Sequence, residues 1–317
     1  MNPPYKITGR ILRLISEVSH KIGEINASFL VKQSPELRKR NRIRTIQASL
    51  AVEGNTLSID QITAVIENKR VIGPAKDILE VTNAIEVYDQ LKKLKPFSER
   101  SFLAAHKTLM KGLIKNAGQY RRSGVGIVKG SQLAHVAPPS GNVSFLMKDL
   151  FEYVKNNEAP LLIKSCVFHY EMEFIHPFSD GNGRMGRLWQ TLLLMQEFPI
   201  IEFLPFETLI NKNQKEYYRA LSTSDKQGES TIFIDFMLET VNESLEELLK
   251  ERSGPISGQD RINLFLSNCK TEFTRKDYMS YFKTISTATA SRDLQFAVES
   301  GLITKFGDKN KTTYEIK

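Results

Sequence analysis

The chain has 317 residues, 41% of them hydrophobic and 25% charged, with a net charge of +8 and a pI near 9.3. This is ordinary globular material, and its two cysteines, Cys166 and Cys269, show no CxxC or Cys/His spacing, which argues against a disulfide framework or a structural zinc site. No stretch approaches the roughly 18 apolar residues of a membrane span, and the first residues, MNPPYKITGR, lack the apolar run of a secretory signal, so a cytoplasmic protein without a membrane partner is expected. The positive surplus suits nucleic acid, ATP-like anions and acidic partners alike. Its densest run, LRKRNRIR from Leu37 to Arg44, reads as a solvated helix face.

In chain order, Ile7, Ile11, Leu14, Ile15, Val18, Ile22 and Ile25 recur at helical steps and predict an amphipathic helix. A second helix is expected from Pro35 to Val52, ending at Gly54 and Asn55, and others over Asp60 to Glu67, Ala75 to Lys92, Glu99 to Leu113, Val143 to Asn156 and Pro160 to Phe174. Between two of these, Gly118 to Val143 is rich in Gly, Ser and Pro and contains Val125 to Val128, which predicts a β-hairpin or flap. Helices resume at Arg184 to Glu197, Lys212 to Ser222 and Ser230 to Lys250. A linker-like SGPISGQD follows, Ser253 to Asp260. Beyond it, three helices (Arg261 to Asn268, Thr274 to Tyr281, Ser286 to Ser300) and a hairpin of Leu302 to Lys305 with Thr313 to Ile316 make a winged-helix pattern. The expected fold class is mainly α: a helical core with a β-hairpin flap and a small C-terminal winged helix.

The chemistry concentrates in HPFSDGNGRMGR, His176 to Arg187. Pro177 turns His176 away from helical dihedrals, placing an imidazole on a loop, where it can act as a base near neutral pH. Asp180, Gly181, Asn182 and Gly183 form a turn into a helix, and a helix N-terminus preceded by glycines offers free N–H groups to phosphate. Arg184 and Arg187 emerge beside it as guanidinium forks, and Asp180, an acid among cations, suits a magnesium ion bridging phosphates.

These residues match every fixed position of the signature HxFx(D/E)GNGRxxR, and the chain here resembles the Fic family. The resemblance implies a helical core over about residues 75–245, with ATP and Mg2+ as the nucleotide and metal, and transfer of AMP to Ser, Thr or Tyr hydroxyls. It implies that His176 deprotonates the hydroxyl, that Asp180 holds the metal, and that Gly181, Asn182, Gly183 and Arg184 bind phosphates while Arg187 engages the γ-phosphate. Phe178 is expected to anchor the core. The phosphate-transferring toxin branch has Lys at the position of Gly183, so Gly favours nucleotidyl transfer.

Further segments resemble the family's accessory parts. Gly118 to Pro139 is similar to its flap, which adds a target protein as a strand, with Val128, Lys129, Gly130 and Ser131 beside the nucleotide. Tyr217 and Tyr218 resemble the pair bordering adenine and ribose, though an aromatic pair opening an apolar helix is equally suited to a core. His135 and His169 read as structural histidines. SLAVEGN, Ser49 to Asn55, fits the inhibitory pattern (S/T)xxxE(G/N), with Ser49 and Glu53 on one helix face and Glu53 able to occupy Arg187.

The resulting division is 1–74 as an N-terminal helical region carrying an inhibitory helix at about 35–55, 75–250 as a catalytic core with a flap at 118–143, and 255–317 as a winged-helix-like domain. Three readings of function remain: an autoinhibited adenylyltransferase, an enzyme removing AMP with the same site, or a DNA-binding regulator with a nucleotide-sensing core. Residues 255–317, with Ser286, Thr287, Thr289, Ser291 and Arg292 on the third helix, suit either DNA or a protein, and a homodimer is compatible with the sequence.

Overall fold

The computed structural model describes residues 3–27, 35–124, 126–129, 132–252, 258–266, 269, 271–282, 285–307 and 312–316. The chain is mainly α, and the described residues form two compact units, Met1–Val31 with Leu37–Leu248, and Lys32–Glu36 with Leu249–Lys317. The first unit contains α1 (Gly9–Ala27), α2 (Pro35–Ala51), α3 (Ile59–Ile66), α4 (Ala75–Asp89), α5 (Glu99–Leu109), β1 (Gly126–Lys129), β2 (Gln132–Val136), α6 (Val143–Asn156), α7 (Leu161–Ile175), α8 (Asn182–Leu194), α9 (Phe206–Lys212), α10 (Gln214–Gln227) and most of α11 (Thr231–Arg252).

The stripe predicted for α1 buries Ile11, Leu14, Val18, Ile22 and Ile25, whereas Ile7 precedes the helix and is exposed. Several helices end before their predicted limits. The apolar pattern of α4 runs on to Lys92, but its last residues tighten into a 3-10 turn, Leu91–Lys93, and α5 stops at Leu109. The run rich in arginine opens α2, whose second half buries Ile43, Ile46 and Leu50. α7 is buried around most of its circumference, with Ser165, His169 and Glu171 enclosed along with its apolar residues, as the central helix of a domain is. Against it lies α8, with Trp189 fully buried and its indole N–H donating to the Pro96 carbonyl at 2.9 Å. Phe102, Phe168, Phe178 and Trp189 meet in stacked and edge-to-face pairs with centroids 5.0–6.1 Å apart.

β1 and β2 form the expected hairpin, antiparallel with Gly126 opposite Val136 and Lys129 opposite Gln132, and a bulge between Ile127 and Val128. Gly130 and Ser131 lie outside the described residues; Val128 and Lys129 are described as backbone.

The second unit holds α12 (Gly258–Leu266), β3 (Glu272–Phe273), α13 (Arg275–Tyr281), α14 (Thr287–Glu299), β4 (Ile303–Phe306) and β5 (Thr313–Ile316). The hairpin expected there gains a third strand, with sheet order β3-β5-β4. Phe265, Phe273, Tyr278, Leu294, Ile303 and Tyr314 share its core. Buried Asp293 receives both forks of Arg261, at 2.7 and 3.0 Å, and the Tyr278 hydroxyl at 3.0 Å.

Candidate active site

Six residues connect α7 to α8, and a left-handed residue stands at each side of the reversal. His176 caps α7 with φ 49 and ψ 60, its N–H bonded to Met172, because Pro177 forbids a helical continuation. A side chain in this region costs about 1–2 kcal/mol, so the surroundings must hold it. Arg121 does so: 2% exposed, it donates to the carbonyls of His176 (2.7 Å), Ile175 (3.2 Å), Ser123 (2.9 Å) and Pro138 (2.5 Å). One guanidinium thereby joins both ends of the flap to the backbone beneath the imidazole. His176 Nδ1 faces the Glu173 carbonyl at 3.4 Å; when that nitrogen carries the proton, Nε2 is the basic one.

At the second left-handed position, Gly181 (φ 86) opens α8. A Cβ there would meet Met110 Sδ at 2.7 Å. Asn182 spends its side chain on the loop itself, accepting from Phe178 N–H (2.9 Å) and donating to Phe178 C=O (3.0 Å), so only its backbone faces a ligand. Buried His106 accepts the Gly118 N–H on Nδ1 (2.9 Å) and therefore donates from Nε2 to the Asp180 carbonyl (3.0 Å), with its ring stacked on Phe178 at 3.5 Å. Burial drives its pKa down to about 4, keeping it neutral.

The first-turn amides of Asn182, Gly183 and Arg184 have no carbonyl one turn back to pair with, which is the donor set a phosphate needs. Asp180 Oδ1 accepts from Gly181 N–H (2.6 Å) and from Arg184 (3.0 Å), while the half-exposed side chain keeps its other oxygen open. Arg184 is also held by Glu80 Oε1 at 3.0 Å, and Glu80 Oε2 accepts from Asn55 at 2.8 Å. Among the described residues Arg184 Nε and Arg187 Nη1 are buried donors without a hydrogen-bond partner, and a Cβ on Gly183 would collide with Glu53 Oε1 and crowd Arg187 Nη1. One open carboxylate oxygen, orphaned guanidinium donors and a turn that only glycine permits fit a triphosphate whose magnesium ion takes a single protein ligand. Among the described residues no cluster of three His, Cys, Asp or Glu side chains could hold a metal without such help.

Arg187 is 0% exposed and engaged from α2 and the turn that follows it: Nε meets Ser49 Oγ (3.1 Å), and Nη2 meets the Ser49 carbonyl (2.8 Å) and Glu53 Oε1 (2.7 Å). Burial opposes its charge, but Glu53, together with Tyr217 and Glu173, more than offsets that and raises its pKa. Close by, burial and then repulsion from Glu53 push the Glu173 carboxyl up to about 8.

Of the aromatic pair, Tyr217 is corrected: it is 1% exposed, its hydroxyl shares a hydrogen bond with His169 Nε2 at 3.0 Å, and it has no face open to a base. Tyr218 is half-buried, edge-on to Tyr217. His169 is structural, with Nδ1 on Gln190 Oε1 at 2.7 Å. The flap tip residues Gly130 and Ser131 lie outside the described residues, as does the side chain of His135. Sequence reasoning missed Glu80, His106 and Arg121. His106 and Arg121 lie far upstream of the residues they hold and carry no local motif; for Glu80 the only signal was a charge inside an apolar helix.

A family model described as the Fic/DOC family matches residues 96–194, which include α5, the flap and all of α8. Over 284 residues, 83% of this chain and 52% of the relative, the chain is 25% identical to protein adenylyltransferase fic-1 of Caenorhabditis briggsae. Over 234 residues it is 27% identical to protein adenylyltransferase Fic of Aedes aegypti, covering 69% and 44%. The chain spans about half the length of the curated relatives it matches. A solved structure of a Fic family protein from Desulfovibrio desulfuricans G20 is 39% identical, covering 100% of this chain and 98% of that one with a TM-score of 0.76. Fic-1 from Caenorhabditis elegans, 20% identical with a TM-score of 0.61 over 76% of this chain and 73% of its own, shares the fold.

Proposed function

The chain belongs to the Fic family, and from that premise we propose that it is a protein adenylyltransferase, moving AMP from ATP onto Ser, Thr or Tyr hydroxyls of proteins, itself included, and restrained by Glu53. The observation that carries this reading is the grouping of a loop-borne imidazole, an open carboxylate oxygen and unspent guanidinium donors around one glycine-bounded helix N-terminus.

His176 Nε2 takes the proton of the acceptor hydroxyl as its oxygen bonds to the α-phosphorus. The bond from that phosphorus to the bridging oxygen breaks, and pyrophosphate leaves. The amides of Asn182 and Gly183, with Arg184 and Arg187, hold the phosphates and meet the charge that builds on them. Asp180 would hold magnesium, which supplies charge neutralisation on the leaving pyrophosphate. The antiparallel flap offers a strand edge along which a target segment adds by backbone bonds. Inhibition follows from occupancy: a γ-phosphate reaching Arg187 has to displace Glu53 and Ser49, and the carboxylate repels it meanwhile.

Incubation with α-labelled ATP and magnesium should label the chain weakly and Glu53→Gly strongly. Equal label in Glu53→Gly and His176→Ala overturns the reading. A second reading, removal of AMP, draws on the 30% exposure of Glu53, which leaves its carboxylate able to orient a water; release of AMP from a labelled protein by the unmutated chain, lost in Glu53→Gly, would favour it.

For the second unit, Arg275 reaching Ser291 Oγ at 3.1 Å beside exposed Thr287 and Arg292 supports a winged helix whose α14 meets duplex DNA. Retardation of duplex DNA that weakens with salt tests it; none at low salt dismisses it.

A further inference from the structure

A cavity of about 410 Å3 lies between α2 and the body of the first unit, away from the phosphate cradle. That volume is in the range of small-molecule sites, roughly 300–1,000 Å3. α2 supplies one wall with Arg38, Arg42 and Thr45, and the core supplies the other with Ile85 and Tyr88 of α4 and Phe203 of the 3-10 turn after α8. Its charged lining has three cations, Arg38, Lys39 and Arg42, against two carboxylates, Asp89 and Glu202. Arg42 is paired with Asp89 at 2.7 Å, Lys39 with Glu67 at 2.9 Å and Glu202 with Lys92 at 3.0 Å, which leaves Arg38 as the lining cation without a carboxylate against it among the described residues. Arg38 lies over the Phe203 ring, 5.2 Å from its centroid, and Arg42 Nε is a buried donor without a partner. The apolar walls and the unspent cationic donors call for one ligand chemistry, an apolar body ending in an anionic group.

The cavity adjoins the groups that restrain Arg187. Thr191 in its floor donates to the Arg187 carbonyl at 3.1 Å, and Tyr88 buries its hydroxyl next to Ser49, the residue that holds Arg187 Nε. We propose that this cavity is a regulatory site for a small aromatic or aliphatic acid, which fastens α2 to the core and so tightens the hold on Arg187. The sign follows from the walls: because they come from both α2 and the core, the site exists only while α2 is docked, and a ligand that binds one state alone stabilises that state. The regulatory consequence rests on the reading of Glu53 as an inhibitor; the site itself does not.

Anilinonaphthalene sulfonate, an apolar anion whose fluorescence rises on burial, is a suitable probe, used with the full chain and without ATP. Saturable binding is expected, at least tenfold weaker in Arg38→Glu, which changes an exposed side chain, and abolished in Ile85→Trp, which fills the cavity. Bound probe should slow amide exchange of residues 41–50 at least threefold. Absence of saturable binding, equal binding in both variants, or exchange in α2 that is unchanged or faster overturns the proposal. With ATP and magnesium present, the probe should lower self-labelling at least threefold. Slowed exchange with unaltered labelling leaves the site standing and overturns the role given to Glu53.

Discussion

Glu53 reaches Arg187 across 134 positions of sequence, and the 2.7 Å contact joins a partly exposed carboxylate to a guanidinium with no exposure at all. The cation is therefore held in place by the body of the domain while the anion sits on a surface turn, one helical turn past Ser49. Of the two partners, Glu53 is the one that can leave.

Ser49 contributes to that contact through its hydroxyl as well as its carbonyl. Ser49→Ala removes the hydroxyl alone, a hydrogen bond to a charged group worth about 1–2 kcal/mol in this setting. Self-labelling with α-labelled ATP should rise about fivefold, and Glu53→Gly should exceed it. A rise in Ser49→Ala equal to that of Glu53→Gly would mean that the carboxylate itself adds nothing.

Arg121→Met leaves four carbonyl oxygens without their shared donor, including that of left-handed His176. The loss should exceed about 3 kcal/mol of stability. Urea denaturation measures it, and in a Glu53→Gly background labelling should fall with it.

Gly186 occupies a variable position of the motif, yet a Cβ there would lie 2.6 Å from His169 Cδ2 in a fully packed site. Gly186→Ala should cost about 1–3 kcal/mol by overpacking. Thermal denaturation reads this directly, and an unchanged midpoint would show that α7 and α8 have slack.

Burial shapes the pH dependence from both ends. His106 and His169 are lowered to about 4 and about 3, so their contribution is complete above 6.5 and is lost as pH falls through those values. Glu171, Glu173 and Glu207 are raised to about 7, 8 and 7, so theirs is complete below 4.5 and is lost as pH rises through 7 and 8. Between 4.5 and 6.5 the two trends oppose each other. The urea midpoint should be highest there and decline on either side, and Glu173→Gln should reduce the decline above pH 7 without changing the one below 4.5.

The catalytic motif was legible because its parts are neighbours in sequence: a proline fixes the end of α7, glycines fix the start of α8, and the arginines follow at helical spacing. The pairing of Glu53 with Arg187 was legible too, through a short pattern, and the bonds that the same guanidinium donates to Ser49 came from the geometry. The supports were hidden. Glu80, His106 and Arg121 act on residues brought to them by the fold, and a lone buried polar residue looks in sequence like any surface one. α9 was missed because its seven residues, Phe206–Lys212, show little helical period and, unlike equally short α13 with its Thr274 cap, open without a capping side chain; β3 was missed because two residues have no period at all. Tyr217 was undecided until packing placed it, since one aromatic pattern serves both a core and a nucleotide.

The pair of hydrogen bonds between the Asn182 side chain and both backbone groups of Phe178 closes part of the loop between α7 and α8 into a small ring. That ring ties Phe178, two residues after His176 and stacked on His106 and Phe102, to the first residue of α8. Under the proposed reading, the base and the phosphate-binding turn share this stretch of backbone while Glu53 enters from a separate one, so the restraint can change in sequence without altering the loop.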